Sequence, residues 1–274
     1  MIQTLESRGG RPLALVTGAS AGIGMAFARA YARRGHDLAL VARRADRLQA
    51  LADELSAAHG IEAFAIPADL SVLDAHMPIL QAVAERGRHV DVLVNNAGFG
   101  IAQSFTGAPW SRQRDFLMTL VVSPCGLAHG VIPGMVQRGG GAIVNVASLA
   151  GFAPGAAGHT LYPGAKSLMI TFSQALDAEL RDKGVRVTAV CPGFTLTEFA
   201  DVNGTREIMD QAPRRFFQTA GQVAEAAILA NQRGRVVVIP GWHNQLAAFL
   251  LRYLPRPLVE AAVRRGAAKY HLEG

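Results

Sequence analysis

Short apolar segments alternate with longer segments of helical periodicity along most of this chain, up to about residue 240. Seven of the short segments are nearly continuous runs of Ala, Val, Leu and Ile, at 13–16, 37–41, 63–66, 90–94, 142–146, 185–190 and 236–239. Such runs are typical of parallel strands buried on both faces. The intervals carry helical patterns, at 22–34, 44–59, 72–87, 111–137, 162–183 and 221–232. This alternation predicts βαβ units, and therefore an α/β fold with one doubly wound parallel sheet of about seven strands and helices on both faces.

The composition indicates one large folded unit. Half of the 274 residues are hydrophobic and only 18% are charged, which excludes a disordered chain and supplies enough apolar side chains for a substantial core. No repeat, low-complexity segment or linker divides the sequence. We therefore predict a single domain over residues 1–274, in which residues 241–274 form a basic, amphipathic C-terminal extension.

The net charge of +6 is concentrated at one end of the chain. From residue 233 onward seven Arg and Lys residues stand against two Glu residues, whereas the rest of the sequence is about neutral. The basicity is therefore a property of the tail alone. We expect no nucleic-acid partner.

The cysteines and the N-terminal segment bear on the compartment. Cys125 and Cys191 lie far apart, with neither the spacing of metal ligands nor the number typical of a disulfide framework, so we expect a reducing compartment and no metal site. Residues 1–11 are polar and lack the apolar segment of a signal peptide, and no run of 18 apolar residues occurs. We expect a cytoplasmic protein without a signal peptide or a transmembrane helix.

The first apolar run leads directly into a glycine-rich turn, after which a helix begins. The residues of this turn are Thr17-Gly18-Ala19-Ser20-Ala21-Gly22-Ile23-Gly24. Glycines permit a tight turn and let the backbone approach a pyrophosphate, and a helix N-terminus offers free N–H groups and a favourable dipole to that anion. Plain turn chemistry is the alternative. The position at the first strand–helix junction favours a dinucleotide site.

The TGxxxGxG spacing of this turn resembles the short-chain dehydrogenase/reductase family. Further family motifs follow in the same order, each at a strand end or opening a helix: Asn95-Asn96-Ala97-Gly98, Tyr162-Pro163-Gly164-Ala165-Lys166, and Pro192-Gly193 with Thr195 and Thr197. The resemblance covers roughly residues 11 to 240 and implies a Rossmann-type, nicotinamide-dependent oxidoreductase. It also implies that the cofactor is contacted by Thr17, Gly18, Ser20, Gly22, Ile23, Gly24, Asn96, Ala97, Gly98, Tyr162, Lys166, Pro192, Gly193, Thr195 and Thr197.

The end of the second predicted strand indicates which nicotinamide cofactor binds. In such folds a carboxylate there holds the ribose 2′-hydroxyl, whereas an arginine accommodates a 2′-phosphate. This sequence has Ala42 followed by Arg43 and Arg44, and guanidinium matches phosphate with paired donors. We predict NADP(H), with the alternative that both arginines merely solvate the next helix. Asp69 and Leu70 resemble the adenine-contacting pair of the family, although Asp69 could equally cap a helix.

Three residues resemble the catalytic group of the family. Tyr162 and Lys166 are four residues apart and lie on one face of a helix, and Ser148 follows the fifth predicted strand. The resemblance implies that Tyr162 is the general acid in reduction, that Ser148 hydrogen-bonds the substrate oxygen, and that Lys166 holds the nicotinamide ribose. A free phenol titrates near ~10, so we expect the charges of Lys166 and of the oxidised nicotinamide to lower the pKa of Tyr162.

The sequence departs from the family in the helix predicted over 111–137. Relatives carry a catalytic asparagine there, and counting back from Ile132-Pro133-Gly134-Met135 places Leu120 at that position. Pro124 follows four residues later and has no N–H, so the carbonyl of Leu120 loses its helical donor and the helix is expected to kink. We hypothesise that this carbonyl holds a water connected to Lys166. A kink without any relay is the alternative.

The chain beyond the last predicted strand is apolar and aromatic. It contains Trp242, Leu246, Ala247, Phe249, Leu250, Leu251, Tyr253 and Leu254, and a Pro-Arg-Pro break and a basic helix follow. We favour a lid over the substrate pocket or a contact with a second subunit, and expect a homo-oligomer. The alternative is peripheral contact with an anionic membrane, which amphipathic segments with arginines can make.

The preceding insert bears on the substrate. Met209, Phe216 and Phe217 favour an apolar pocket, although they could equally belong to the core. We predict an NADP(H)-dependent ketoreductase or alcohol dehydrogenase whose partner is a fairly bulky, apolar small-molecule ketone or secondary alcohol. Two alternatives stay open: a lipid- or steroid-directed dehydrogenase at a membrane surface, and a non-catalytic cofactor-binding protein, which Leu120 favours.

Overall fold

The computed structural model describes residues 10–101, 103–155, 157–158, 160–199 and 213–267. Its β-strands are β1 Leu13–Thr17, β2 Asp37–Ala42, β3 Ala63–Pro67, β4 Val92–Asn95, β5 Gly141–Val146, β6 Val185–Val190, β7 Thr195–Leu196, β8 Gln218–Thr219 and β9 Val237–Val238. Its α-helices are α1 Gly22–Ala32, α2 Ala45–His59, α3 His76–Ala84, α4 Trp110–Leu117, α5 Ser123–Gln137, α6 Tyr162–Leu180, α7 Ala220–Gln232, α8 Trp242–Tyr253 and α9 Arg256–Ala267.

Seven strands form one parallel sheet in the order β3-β2-β1-β4-β5-β6-β9. Side chains of β1 alternate between its faces: Ala14 and Val16 join one buried cluster, and Leu13 and Leu15 join the other. The first cluster includes apolar residues of α1, α2 and α7, and the second includes residues of α3, α5 and α6. The predicted doubly wound sheet with helices on both faces is therefore confirmed, while the single-domain organisation over 1–274 stays a prediction.

The strand order reverses between β1 and β4, because β2 pairs with one side of β1 and β4 with the other. In open α/β sheets this switch point leaves a crevice at the carboxyl ends of the strands. The glycine turn, the arginine pair, Asp69, the motif at 95–98, Ser148 and the motif at 192–193 lie at the carboxyl ends of β1 to β6 in that order, so the fold brings them to one edge.

Three local features differ from the sequence-based expectation. The helix expected at 72–87 begins at His76, and Asp74 just before it has a left-handed φ of 56°. The helix expected over 111–137 is divided by a π-helical turn, Met118–Val122. A separate two-stranded parallel pair, β7 and β8, lies outside the main sheet and carries no periodicity that a sequence could reveal.

One helical segment of the described residues, Trp110–Gln137, is long and apolar enough to span a membrane by length and composition, with a mean hydropathy of 1.6. It contributes Phe116, Leu120, Leu127 and Met135 to buried clusters of the fold. We therefore interpret it as a core helix.

Candidate active site

The glycine turn between β1 and α1 has a backbone that only glycine suits. Gly18 and Gly22 have φ of 67° and 55°, which is the left-handed region. A Cβ at Gly18 would lie 2.7 Å from Nδ2 of Asn96, and one at Gly24 would overlap the carbonyl of Gly18. At Gly18 and Gly24 the backbone is therefore packed too closely for any side chain.

This turn fits a dinucleotide. Ala21 precedes α1 and has no side chain that could cap the helix, and the first turn of α1 has no acidic residue. The first N–H groups of α1 are therefore not capped by its own side chains, and a helix N-terminus of this kind suits a pyrophosphate. The hydroxyl of Thr17 accepts hydrogen bonds from the N–H groups of Asn96 and Ala97, at 2.9 and 3.1 Å, and so ties the two motifs together.

The arginines after β2 have different surroundings. Arg44 donates to the hydroxyl of Ser20 at 3.0 Å and pairs with Glu198 at 3.2 Å, and Glu198 also pairs with Arg47. Among the described residues Arg43 makes no side-chain hydrogen bond or ion pair within 4 Å. The guanidinium of Arg43 therefore keeps its donors for an anion in the crevice.

Asp69 follows β3 and begins a turn. Its carboxylate accepts hydrogen bonds from the N–H and the hydroxyl of Ser71, at 3.0 and 2.8 Å. Burial alone would raise the pKa of Asp69, but these two hydrogen bonds and the charge of Arg43 lower it. Asp69 does not cap a helix, because α3 begins only at His76 and Ala75 precedes it. Asp69 and Leu70 line the crevice, and their contact with the adenine stays a prediction.

Ser148, Tyr162 and Lys166 meet at the carboxyl end of β5. The hydroxyls of Ser148 and Tyr162 are hydrogen-bonded to each other. Nζ of Lys166 donates to the carbonyl of Val146 at 2.8 Å and lies 5.7 Å from the centre of the Tyr162 ring. Helix α6 begins at Tyr162 with Pro163 in its first turn, which agrees with the start of the helix predicted over 162–183. The hydroxyls of Ser148 and Tyr162 and the amine of Lys166 therefore lie together at this end of the crevice.

Burial dominates the electrostatics of this group. It raises the pKa of Tyr162 to about 12, with the hydrogen bond from Ser148 opposing the rise, and Phe116 and Phe199 flank the ring. Burial lowers the pKa of Lys166 to about 8. The expectation that Lys166 lowers the tyrosine pKa is wrong for the protein's own groups, because desolvation outweighs the one lowering interaction, which comes from Ser148 and not from Lys166. The phenol is protonated at neutral pH.

Cys191 is a neighbour of this group that the sequence analysis missed. Its buried thiol accepts a hydrogen bond from the N–H of Ser148 and interacts electrostatically with Lys166. Burial raises the thiol pKa to about 12, against the effects of Lys166 and of the N–H. The thiol is neutral, so it does not cancel the lysine charge. In the sequence, only the position of Cys191 directly after the sixth strand could have indicated that it lies near the site.

Leu120 lies in the π-helical turn, where the N–H of Ser123 bonds back to the carbonyl of Met118. The predicted helix distortion is therefore present without an asparagine. The Leu120 side chain is buried and packs with Phe116 and Ala165 beside Tyr162. It replaces a polar group by an apolar one, and the water relay through its carbonyl stays a prediction.

The motifs surround one cleft of about 1280 Å³. All the predicted site residues except Thr17 and Gly24 line this cleft. Thr17 instead bonds to the backbone of Asn96 and Ala97, and Gly24 packs against the carbonyl of Gly18. Phe216 lines the cleft, whereas Phe217 instead stacks on Phe194, and Met209 lies outside the described residues. Further lining residues that the sequence analysis had not assigned to the site include Phe99, Arg112, Thr119, Phe194, Glu198, Phe199, His243, Asn244 and Val263. Ala247 and Leu251, which belong to the apolar segment favoured above as a lid, also line the cleft.

A glycine turn at the switch point of a parallel sheet, with a hydroxyl pair and a buried lysine in the same cleft, is typical of nicotinamide-dependent oxidoreductases. The sequence profile of the short chain dehydrogenase family matches residues 12–208. The chain belongs to this family, as its motifs predicted.

Individual relatives match over most of the chain. An uncharacterized oxidoreductase of Myxococcus xanthus is 36% identical over 252 residues, which are 92% of this chain and 96% of that protein. The NADPH complex of a short-chain dehydrogenase from Sphingobium yanoikuyae is 33% identical, with a TM-score of 0.78 and coverage of 93% and 97%. A bulky-bulky ketone specific alcohol dehydrogenase from Comamonas testosteroni is 31% identical, with a TM-score of 0.73 and coverage of 89% and 99%.

Proposed function

We propose that this protein is an NADP(H)-dependent ketoreductase that interconverts a bulky, apolar ketone and its secondary alcohol. The observation that carries the proposal is the placement of Ser148, Tyr162 and Lys166 in one cleft with the glycine turn. Homo-oligomerisation and a cytoplasmic location stay predictions from the sequence.

The choice of NADP(H) rests on the carboxyl end of β2. Ala42 leaves this end without a carboxylate, and Arg43 is the guanidinium there with donors not engaged by the described side chains. Arg44 is already held by Ser20 and Glu198. A 2′-phosphate therefore has its best partner in Arg43. The similar dehydrogenase from Sphingobium yanoikuyae is in complex with NADPH, which supports this choice.

The protonation states favour Tyr162 as the acid in ketone reduction. With a pKa of about 12 its phenol carries a proton at neutral pH. It gives this proton to the substrate oxygen while the carbonyl carbon accepts a hydride, which the reduced nicotinamide supplies when bound. Ser148 holds the same oxygen through its hydroxyl, and the Lys166 ammonium stabilises the phenolate that remains.

The substrate side of the cleft supports a bulky apolar ketone. Phe99, Phe194, Phe199, Phe216 and Leu251 line it, and aromatic walls of this kind suit apolar ligands. The ketone specificity named for the Comamonas testosteroni enzyme is consistent with this interpretation.

A panel of ketones with small and bulky substituents tests the proposal, with NADPH consumption followed optically. We expect kcat/KM to rise with the size of both substituents, because larger apolar groups fill more of the aromatic wall. Turnover of small ketones only would contradict the bulky-substrate proposal. NADPH binding without turnover of any ketone would instead favour the non-catalytic alternative that Leu120 raised.

The pKa of Lys166 predicts the pH dependence of reduction. Tyr162 stays protonated up to a pH of about 12, whereas Lys166 loses its proton near pH 8. We expect kcat/KM for reduction to be flat below pH ~7 and to fall about tenfold per pH unit above pH ~8. Lys166→Arg keeps a cation over this pH range. If this variant retains activity, its kcat/KM should therefore not fall above pH ~8. A wild-type profile that stays flat to pH ~10 would contradict this assignment.

A further inference from the structure

Helix α8 carries an apolar stripe that the described part of the chain leaves exposed. Trp242, Leu246, Phe249, Leu250 and Tyr253 are between 40% and 74% exposed. Their spacing of four, three, one and three residues places all five on one side of a helix. Leu254 and Leu258 extend this exposed surface into the first turn of α9. We call these seven residues the α8 stripe.

The opposite side of α8 is firmly attached to the domain. Asn244 is buried and donates to the side chain of Gln218 at 3.0 Å and to the carbonyl of Pro240 at 2.8 Å. It approaches the backbone at Gly193 so closely that a Cβ there would overlap its amide. Ala247 and Leu251 line the catalytic cleft. These contacts fix the orientation of α8, so the stripe is exposed while the opposite side of the same helix is packed against the domain.

The charge around the stripe indicates its occupant. Residues 242–267 contain Arg252, Arg256, Arg264 and Arg265, all exposed, against Glu260 alone, which gives a net charge of +3. In a symmetric dimer the same surface meets itself, so a second copy would oppose +3 with +3 across the contact. An anionic lipid surface complements this charge, and Trp and Tyr favour the interface between headgroups and acyl chains.

We propose that the α8 stripe binds the surface of an anionic lipid bilayer. Helix α8 lies in the plane of the interface, its apolar side chains enter the boundary of the acyl chains, and the four arginines contact the headgroups. The cleft wall formed by Ala247 and Leu251 then lies about one helix diameter, ~10 Å, from the bilayer. This proposal concerns a partner and does not depend on the proposed ketone chemistry.

Flotation of the full chain with vesicles tests the proposal. The vesicles are phosphatidylcholine alone or phosphatidylcholine mixed with phosphatidylglycerol. We expect the protein to float with the anionic vesicles at low salt and to be released at ~1 M salt, where charges are screened within about 3 Å. The double variant Leu246→Glu/Phe249→Glu should lose binding at least tenfold. Arg252→Gln/Arg256→Gln should lose about fivefold for each arginine, specifically on anionic vesicles.

A matched control separates the stripe from a general loss of surface apolarity. Leu229 on α7 is 42% exposed, and Leu229→Glu should float like the wild type. Circular dichroism and melting temperature should be the same for all variants. Failure of the wild type to float, or equal flotation of the stripe variant, would overturn the proposal. So would a wild-type dimer that Leu246→Glu/Phe249→Glu converts to a monomer without any vesicle binding, because a second copy would then cover the stripe.

The result is independent of the ketone assay. A protein that floats but turns over no ketone would sustain the lipid proposal and refute the proposed reaction. A protein that reduces ketones but does not float would support the proposed reaction and refute the lipid proposal.

Discussion

Replacing Tyr162 by phenylalanine is expected to lower kcat by roughly 10²-fold or more while NADPH affinity stays nearly unchanged. The substitution keeps the ring between Phe116 and Phe199 and removes only the hydroxyl bonded to Ser148. The proton that the proposed reaction gives to the substrate oxygen is then missing, whereas the glycine turn and the arginines proposed to hold the cofactor are untouched. Steady-state reduction kinetics and a fluorescence titration with NADPH measure the two effects separately.

Tyr253→Phe is the matched control, because it removes the hydroxyl of an exposed tyrosine outside the cleft. We expect it to leave kcat unchanged. Near-full activity of Tyr162→Phe would show that another group supplies the proton. A parallel loss of NADPH affinity would show that the hydroxyl acts in cofactor binding and not in proton transfer.

The second large effect concerns the cofactor. The wild type should prefer NADPH over NADH by at least about tenfold in kcat/KM, about 1.4 kcal/mol, which one guanidinium–phosphate contact can supply. Ala42→Asp combined with Arg43→Gln should reverse this preference. The new carboxylate accepts hydrogen bonds from a ribose hydroxyl and repels a 2′-phosphate, and the phosphate loses its guanidinium. Initial rates with both cofactors across their KM ranges provide the measurement.

Two further variants test which arginine sets the preference for NADPH over NADH. Arg29→Gln removes a guanidinium of α1 that pairs with Glu54 and does not line the cleft, and it should keep the wild-type preference. Arg44→Gln should weaken the preference less than Arg43→Gln, because Arg44 is already engaged by Ser20 and Glu198. Equal use of both cofactors by the wild type would refute the role of Arg43.

The reactive group is tuned by burial more than by charge. Desolvation raises the pKa of Tyr162 and lowers that of Lys166, so it favours the neutral form of each. At neutral pH the phenol keeps its proton and the lysine, with a pKa of about 8, is still mainly charged. This combination suits a proton donor and a cationic neighbour, which is the arrangement that reduction requires.

The sequence by itself determined the architecture and the edge of the sheet at which the candidate site lies. Buried parallel strands leave continuous apolar runs, and the carboxyl ends of such strands meet at one edge of the sheet. Motifs at separate strand ends, such as the glycine turn and Ser148, could therefore be assigned to one crevice. Helical spacing, which is also local, placed Tyr162 and Lys166 on one face, and the resemblance to the family assigned them to the site.

The tertiary structure decided which distant groups touch. Glu198 reaches Arg44 and Arg47 about 150 residues earlier in the chain, Cys191 supports Ser148, and Asn244 packs on Gly193 to set α8 against the cleft. None of these contacts produces a periodicity or a motif in the sequence, because each depends on how helices, strands and loops pack against one another. The same holds for the pKa values: burial sets their direction, and burial is a property of the folded chain rather than of the residues taken in order.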